Sequence, residues 1–262
     1  MYFRILGPLD IDNDGKPVAL SGRGPRVVLA ALLTGANDVV PIDRLIEWLW
    51  PRRPPPSAPA TVQGHLSRLR RALEPDRPPW TPSELLIRRH TGYLLRISPD
   101  QLDALRFERL VAAGRTALER GEPEPAARLL GEALGLWRGA VLSDIAAQDG
   151  AQQMITRLDA LRLSAEVLRI DAELRLGRHM AVVPELEWLV RAHPLDERLS
   201  AQLMLALYRC GRQAEALNAY ERMRLALSTE LHIAPAPAAQ RIQAAILAQD
   251  PDLELPAEWY GG

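Results

Sequence analysis

The side chains with the clearest chemistry fall in one short stretch, Ser67-Arg68-Leu69-Arg70-Arg71. A guanidinium is a planar fork of donors. It can grip the O6 and N7 edge of guanine, or a phosphate, through two hydrogen bonds at once. Ser67 and Thr61 carry hydroxyls that can donate to phosphate oxygens. No acid occurs from Ser57 until Glu74, so a face built from this segment meets a polyanion without charge conflict. A second basic group follows, Arg88-Arg89-His90-Thr91. These types at this spacing suit contact with nucleic acid and do not suit bond-making chemistry. The five histidines are scattered and give no H-x-x-x-H pair. Gly22-Arg23-Gly24 lacks the Lys-Ser/Thr that completes a phosphate loop, and there is no G-x-S-x-G elbow. The single cysteine, Cys210, excludes a disulfide within the chain and a cysteine-based zinc site; in its apolar stretch it reads as a packed thiol. No enzyme activity, cofactor or metal is expected.

The elements that must position these residues follow from periodicity. At 100° per residue, Val62, Leu66, Leu69 and Leu73 fall within about 60° of one another and form one apolar stripe. Opposite lie Ala60, Gly64, Ser67, Arg68 and Arg71, with Thr61 and Arg70 at the flanks. Ser57–Leu73 therefore reads as an amphipathic helix, capped by Ser57 or Thr61, whose exposed face is small at its start and cationic at its end. His65 lies toward the apolar edge, where a structural role and a phosphate contact are both open. Gly64 costs such a helix about 1 kcal/mol relative to Ala. Leu85–Arg89 and Tyr93–Ile97 flank His90-Thr91-Gly92 and read as a hairpin. Upstream, Tyr2–Asp12 alternates, Asn13-Asp14-Gly15 marks a turn and Lys16–Leu20 returns as a strand. Pro25–Ala36 and Ile42–Leu49 are helical. Strands, three helices and a hairpin, in that order, predict a winged helix-turn-helix over residues 1–98. A wing tip carrying Arg88, Arg89 and His90 would lie along a minor groove, where arginine is favoured.

The rest of the 262-residue chain reads as helix. Candidates are Asp103–Arg120, Glu124–Trp137, Ala151–Leu176, His179–Ala192, Asp196–Cys210, Gln213–Leu227 and Ala238–Ala248. Leu176-Gly177-Arg178 recurs 34 residues later as Cys210-Gly211-Arg212, and Arg120-Gly121 gives a similar break. That period, with glycine between paired helices, favours tetratricopeptide-like repeats over an unrelated bundle. The fold class is thus mainly α, with small antiparallel sheets at the front. Trp48, Trp50, Trp137 and Trp188 are expected in packed positions. Residues 1–98 hold 14 of the 32 bases and 9 of the 33 acids, a net +5; the remaining 18 and 24 give −6. Chance alone produces such splits often, but a basic front half suits nucleic acid. No signal peptide or membrane span is expected, and the chain reads as cytoplasmic and nucleoid-associated.

Several motifs carry a resemblance. They are Arg4-Ile5-Leu6-Gly7-Pro8-Leu9, the run Asp43 to Pro51, Leu66 to Leu73, Thr91-Gly92-Tyr93-Leu94-Leu95, Asp103 to Leu110, Leu136-Trp137-Arg138-Gly139 and Ala216 to Tyr220. In this order the chain resembles the Streptomyces antibiotic regulatory proteins, transcription activators of secondary-metabolite gene clusters. The resemblance implies an OmpR-like winged helix over 1–98. A bacterial transcriptional activation domain over 101–250 and a tail over 251–262 would follow. It implies binding to direct repeats in promoter duplex DNA, usually as a side-by-side homodimer, and recruitment of the RNA polymerase holoenzyme. Carried over by position, the DNA-facing residues are Thr61, His65, Ser67, Arg68 and Arg70, with Thr91 in the wing. A helical-repeat interaction scaffold that has lost DNA binding is the competing class.

Overall fold

The computed structural model describes residues 1–78, 80–145 and 149–254. Of the expected tail, Pro251–Glu254 form a 3-10 turn; 255–262 lie outside the described residues. The chain packs as two compact units: Met1–Leu110 with Glu132–Arg162, and Val111–Gly131 with the residues from Leu163 onward.

The first unit opens with an antiparallel sheet of β1 (Tyr2–Arg4), β2 (Asp10–Asn13) and β3 (Lys16–Pro17), in register Phe3↔Ile11 and Asn13↔Lys16. The alternating stretch Tyr2–Asp12 is therefore two strands, not one. The break has a physical cause: the backbone donors between the strands leave the ladder for carboxylates far along the chain. Asp103 is 1% exposed and accepts from the Ile5 N–H at 2.9 Å and the Leu6 N–H at 3.0 Å. Asp144 accepts from the Leu9 N–H at 2.7 Å and pairs with Arg26, which also donates to the Leu9 carbonyl. Arg138 donates its backbone N–H to the Leu6 carbonyl at 2.7 Å and its guanidinium to the Pro8 carbonyl at 2.9 Å.

Three helices follow: α1 (Arg23–Thr34), α2 (Ile42–Leu49) and α3 (Ala58–Leu73). Their shared core includes Leu29, Leu32, Leu45, Trp48, Leu66 and Leu69, each at most 1% exposed. Each such side chain contributes roughly 1.5–3 kcal/mol on burial. A second sheet has the order β4 (Val39–Pro41), β6 (Gly92–Leu95), β5 (Leu86–Arg89). The architecture is a winged helix-turn-helix, as the sequence predicts. Strand β4 was not expected. It lies between α1 and α2 and pairs with β6 in register Val40↔Tyr93.

The helical elements after it are α4 (Asp103–Glu119), α5 (Pro123–Leu134), α6 (Asp149–Arg175), α7 (His179–Ala192), α8 (Glu197–Arg209), α9 (Gln213–Glu230) and α10 (Pro237–Ala248). In the second unit, α4, α6 and α8 all stop the same way. Gly121, Gly177 and Gly211 take left-handed φ of 72°, 77° and 75°. The next N–H in each case closes back at 2.9 Å, from Glu122 to Ala117, Arg178 to Glu173 and Arg212 to Leu207. This is the Schellman stop, which satisfies the last carbonyls and turns the chain into the following helix. The stops at Gly177 and Gly211, 34 residues apart, make the repeat structural. The packed side includes Ile170, Leu186, Leu199, Met204, Ala216 and Ile246. Cys210 is half-buried against it, as expected of a packed thiol. The expectation that Trp188 packs inside is overturned: it is 61% exposed, because Val182, Leu186 and Leu189 supply the inward face of α7. Among the described residues no helix is long and apolar enough to cross a membrane, and no cluster of metal ligands occurs.

Asp103→Ala removes the acceptor of two buried N–H groups, so urea unfolding should show a loss of about 2–4 kcal/mol. The two carboxylates titrate in opposite senses. Burial pushes the Asp103 carboxyl up by more than the Ile5 and Leu6 N–H groups lower it. Its contribution to stability therefore falls as pH rises from the ordinary carboxylate range through that raised value. Burial also acts upward on Asp144, but the Leu9 N–H and Arg26 outweigh it and hold this carboxyl below its usual value. Its contribution is present above the ordinary range and lost as pH falls through it. Asp144→Asn should thus flatten the acid limb of a melting-temperature profile; an unchanged acid limb would contradict this.

Candidate nucleic-acid interface

Helix α3 begins at Ala58, with Ser57 in the N-cap position but making no side-chain cap. The start instead uses Pro59 in the first turn, where its fixed φ fits and no N–H is wanted. Thr61 turns its hydroxyl back to the Ser57 carbonyl at 3.1 Å. Val62, Leu66, Leu69 and Leu73 are all buried, the stripe that periodicity predicts. Gln63, Gly64, Ser67, Arg68 and Arg71 are exposed. A Cβ on Gly64 would meet nothing within 4 Å. The outward face is therefore low at its middle and cationic at its end.

His65 and Arg70 are placed differently. The His65 ring lies on the start of α1: an ideal Cβ on Gly24 would sit 2.4 Å from its Cε1 and Nε2. Burial, and then the Arg68 charge, lower the His65 pKa, so the free protein holds this ring neutral at pH 7. Arg70 is half-buried, donates its Nε–H to the Leu86 carbonyl at 3.2 Å and stacks 5.5 Å from the Tyr93 ring centre. Both side chains thus hold neighbouring elements: α1 in one case, the hairpin in the other.

The hairpin β5–β6 turns over His90-Thr91, in register Arg89↔Gly92. Arg88, Arg89, His90 and Thr91 are all exposed at its tip. Gly92 is required for a close approach, since a Cβ there would lie 2.1 Å from the Val40 carbonyl oxygen of β4. Strand β4 therefore seats the base of the wing. A further anchor was not read from the sequence. Glu74, just past α3, accepts from the Glu84 N–H at 2.8 Å and the Leu85 N–H at 3.2 Å. Burial acts to raise its carboxyl; the Ser83 hydroxyl, these two N–H groups and Arg77 more than reverse that. Its position as the first acid after an acid-free helix was the available sequence sign. Between α3 and the hairpin runs a groove of about 440 Å³ lined by Ser67, Arg70, Ser83 and Arg88, among others. Of the expected residues, the structure leaves Ser67, Arg68 and Arg71 exposed on α3 and Arg88, Arg89 and Thr91 exposed at the hairpin tip, while Thr61, His65 and Arg70 are half-buried. Arg70 and Glu74 tie the helix to the hairpin.

A winged helix with an acid-free, arginine-bearing third helix, followed by paired helices with glycine stops, defines a class: a DNA-binding fold joined to a helical-repeat fold. The comparisons agree. Residues 15–95 match the family described as "Transcriptional regulatory protein, C terminal", and residues 102–247 match "Bacterial transcriptional activator domain". The regulatory protein DnrI of Streptomyces peucetius is 38% identical over 257 residues, covering 97% of this chain and 94% of DnrI. The regulatory protein AfsR of Streptomyces coelicolor is 39% identical over 97% of this chain, which spans only 25% of AfsR. The solved structure of Mycobacterium tuberculosis EmbR in complex with a low-affinity phosphopeptide superposes with a TM-score of 0.89 at 36% identity, covering 97% of this chain and 66% of that one. The chain belongs to the Streptomyces antibiotic regulatory protein family of transcriptional regulators and is not an enzyme.

Gly24→Ala should force the His65 ring to move, at about 1–3 kcal/mol by the usual cost of overpacking. In a His65→Ala background the same substitution should be neutral or stabilising, because the obstruction is gone. Equal costs in both backgrounds, read by chemical denaturation, would refute the contact. Glu74→Gln should loosen the wing and lower affinity for DNA even though it removes a negative charge. An affinity gain would mean that charge alone matters there.

Proposed function

We propose that this chain is a sequence-specific, cytoplasmic DNA-binding activator of a secondary-metabolite gene cluster. In this reading residues 1–98 read promoter DNA and residues 101–250 contact the RNA polymerase holoenzyme. One observation carries the DNA reading: the exposed side of α3 bears Ser67, Arg68 and Arg71 around the bare Gly64 and carries no acid. A major groove about 12 Å wide admits a helix. Gly64 lets the axis come close, and Arg68 and Arg71 reach guanine edges or phosphates. Ser67 donates to phosphate oxygens, and Thr61 does so once its hydroxyl leaves the Ser57 carbonyl. Arg88, Arg89 and Thr91 then lie along the adjacent minor groove. His65 and Arg70, expected as contacts by position, act through what they hold: the α1–α3 junction and the wing angle. Two copies side by side on direct repeats would place two such readers on one face of the duplex.

The test is a gel shift on the DNA beside its own gene across a salt series. Arg68→Ala should cost about 1–3 kcal/mol at the cognate site and relax preference at one position. Arg88→Ala/Arg89→Ala should weaken all sequences alike and reduce the slope of log affinity against log salt by about 2. All three side chains are exposed, so unfolding midpoints should not move. If these variants bind like the parent, the assignment fails.

A further inference from the structure

Within the second unit, a cleft of about 720 Å³ gathers four guanidinium groups: Arg115 from α4, Arg120 just past its end, Arg175 from α6 and Arg198 from the start of α8. Its acids are Glu119 and Asp171. Asp171 is 3% exposed and already committed to Arg175 at 3.1 Å. Arg175 is fixed further by donating to the Leu118 carbonyl at 3.4 Å. Arg115 and Arg120 are exposed, and their guanidinium groups have no hydrogen-bond or ion-pair partner among the described residues. The contrast within the same unit is Arg178, which pairs with Glu124 and Glu173. Residues 99–262 carry a net −6, so this concentration of positive charge runs against its surroundings.

Like charges brought together in a concave site repel one another until an anion joins them, and the concavity raises the local concentration of anions. Forked guanidinium donors match the oxygens of a phosphate group two at a time. The volume falls among sites for small organic ligands, roughly 300–1,000 Å³, and is far larger than one phosphate requires. Leu118 and Leu168 supply apolar wall for the remainder of a ligand. We infer that this cleft is a binding site for a phosphorylated small molecule, its phosphate held by Arg115, Arg120 and Arg175. The ligand bridges the end of α4 and α6 and so stiffens successive helical pairs. This goes beyond the DNA reading and does not depend on it.

The test is the melting temperature of the full chain with ADP, with inorganic pyrophosphate and with sodium chloride at matched ionic strength. ADP should give a saturable upward shift that the salt control lacks, since a ligand of the native state stabilises it by mass action. Pyrophosphate as effective as ADP would place the recognition in the phosphates alone; a larger effect of ADP would show the organic part held as well. Either supports the site. Arg115→Ala/Arg120→Ala should weaken the effect about tenfold or more, the loss of charge-assisted hydrogen bonds, while promoter affinity stays at the parental level. Both side chains are exposed, so the ligand-free melting temperature reports whether folding is intact. Four results would overturn the proposal: no saturable shift up to about 10 mM, the same shift in the double variant, loss of promoter affinity in that variant, or an equal shift from a polyglutamate peptide.

Discussion

One buried carboxylate organises the first unit. Asp103 stands at the first position of α4 and takes hydrogen bonds from the backbone of Ile5 and Leu6, about a hundred residues earlier. Without it, the segment between β1 and β2 would place two N–H groups in an apolar interior. Asp144 and Arg138 extend the same arrangement to Leu9, Leu6 and Pro8. The front sheet therefore closes on residues from outside the region 15–95 that the winged-helix family describes. Its charge is tolerated through backbone donors more than through an ion pair, since Arg138 lies 3.9 Å away.

The proposed DNA-reading surface depends on a division between side chains that reach outward and side chains that hold. Arg68 and Arg71 project from a helix whose other side is fully buried. Arg70, between them in sequence, turns inward to β5 and Tyr93. Glu74 meets the same hairpin from the end of the helix, and β4 seats its base through the bare backbone of Gly92. The angle between helix and wing is thus set by hydrogen bonds, not by the exposed arginines themselves. A cationic reader that needs an acid to aim it is consistent with Glu74 lying at the first position where the acid-free run ends.

Much of this was legible in the sequence because it is periodic. The stripe Val62, Leu66, Leu69, Leu73 gave α3, and the Gly177 and Gly211 breaks gave the repeat. What was not legible depended on partners distant in the chain. Val39-Val40-Pro41 is too short to show alternation, and its ladder partner lies more than fifty residues on. Asp103 looked like an ordinary acid in the first turn of a helix, a role that propensity explains without reference to Ile5. Arg70 sat at the flank of the helical wheel, where only the hairpin's position decides between inward and outward. Trp188 failed for the opposite reason. Its place in a helical stretch argued for packing, but the smaller Val182 and Val183, with Leu186 and Leu189, already filled the inward face.

The link between Ile5 and Asp103 also bears on the order in which the chain is made. A ribosome releases the front sheet long before it releases Asp103, Arg138 and Asp144. During that interval the donors of Ile5, Leu6 and Leu9 have only water for company, and the β1–β2 segment cannot settle. Closing a loop of this length costs little more than closing one half as long, so the delay is one of supply rather than of free energy. In this order of synthesis the winged helix is completed by its own downstream sequence, by Asp103 at the start of α4 and by Arg138 and Asp144 beyond α5.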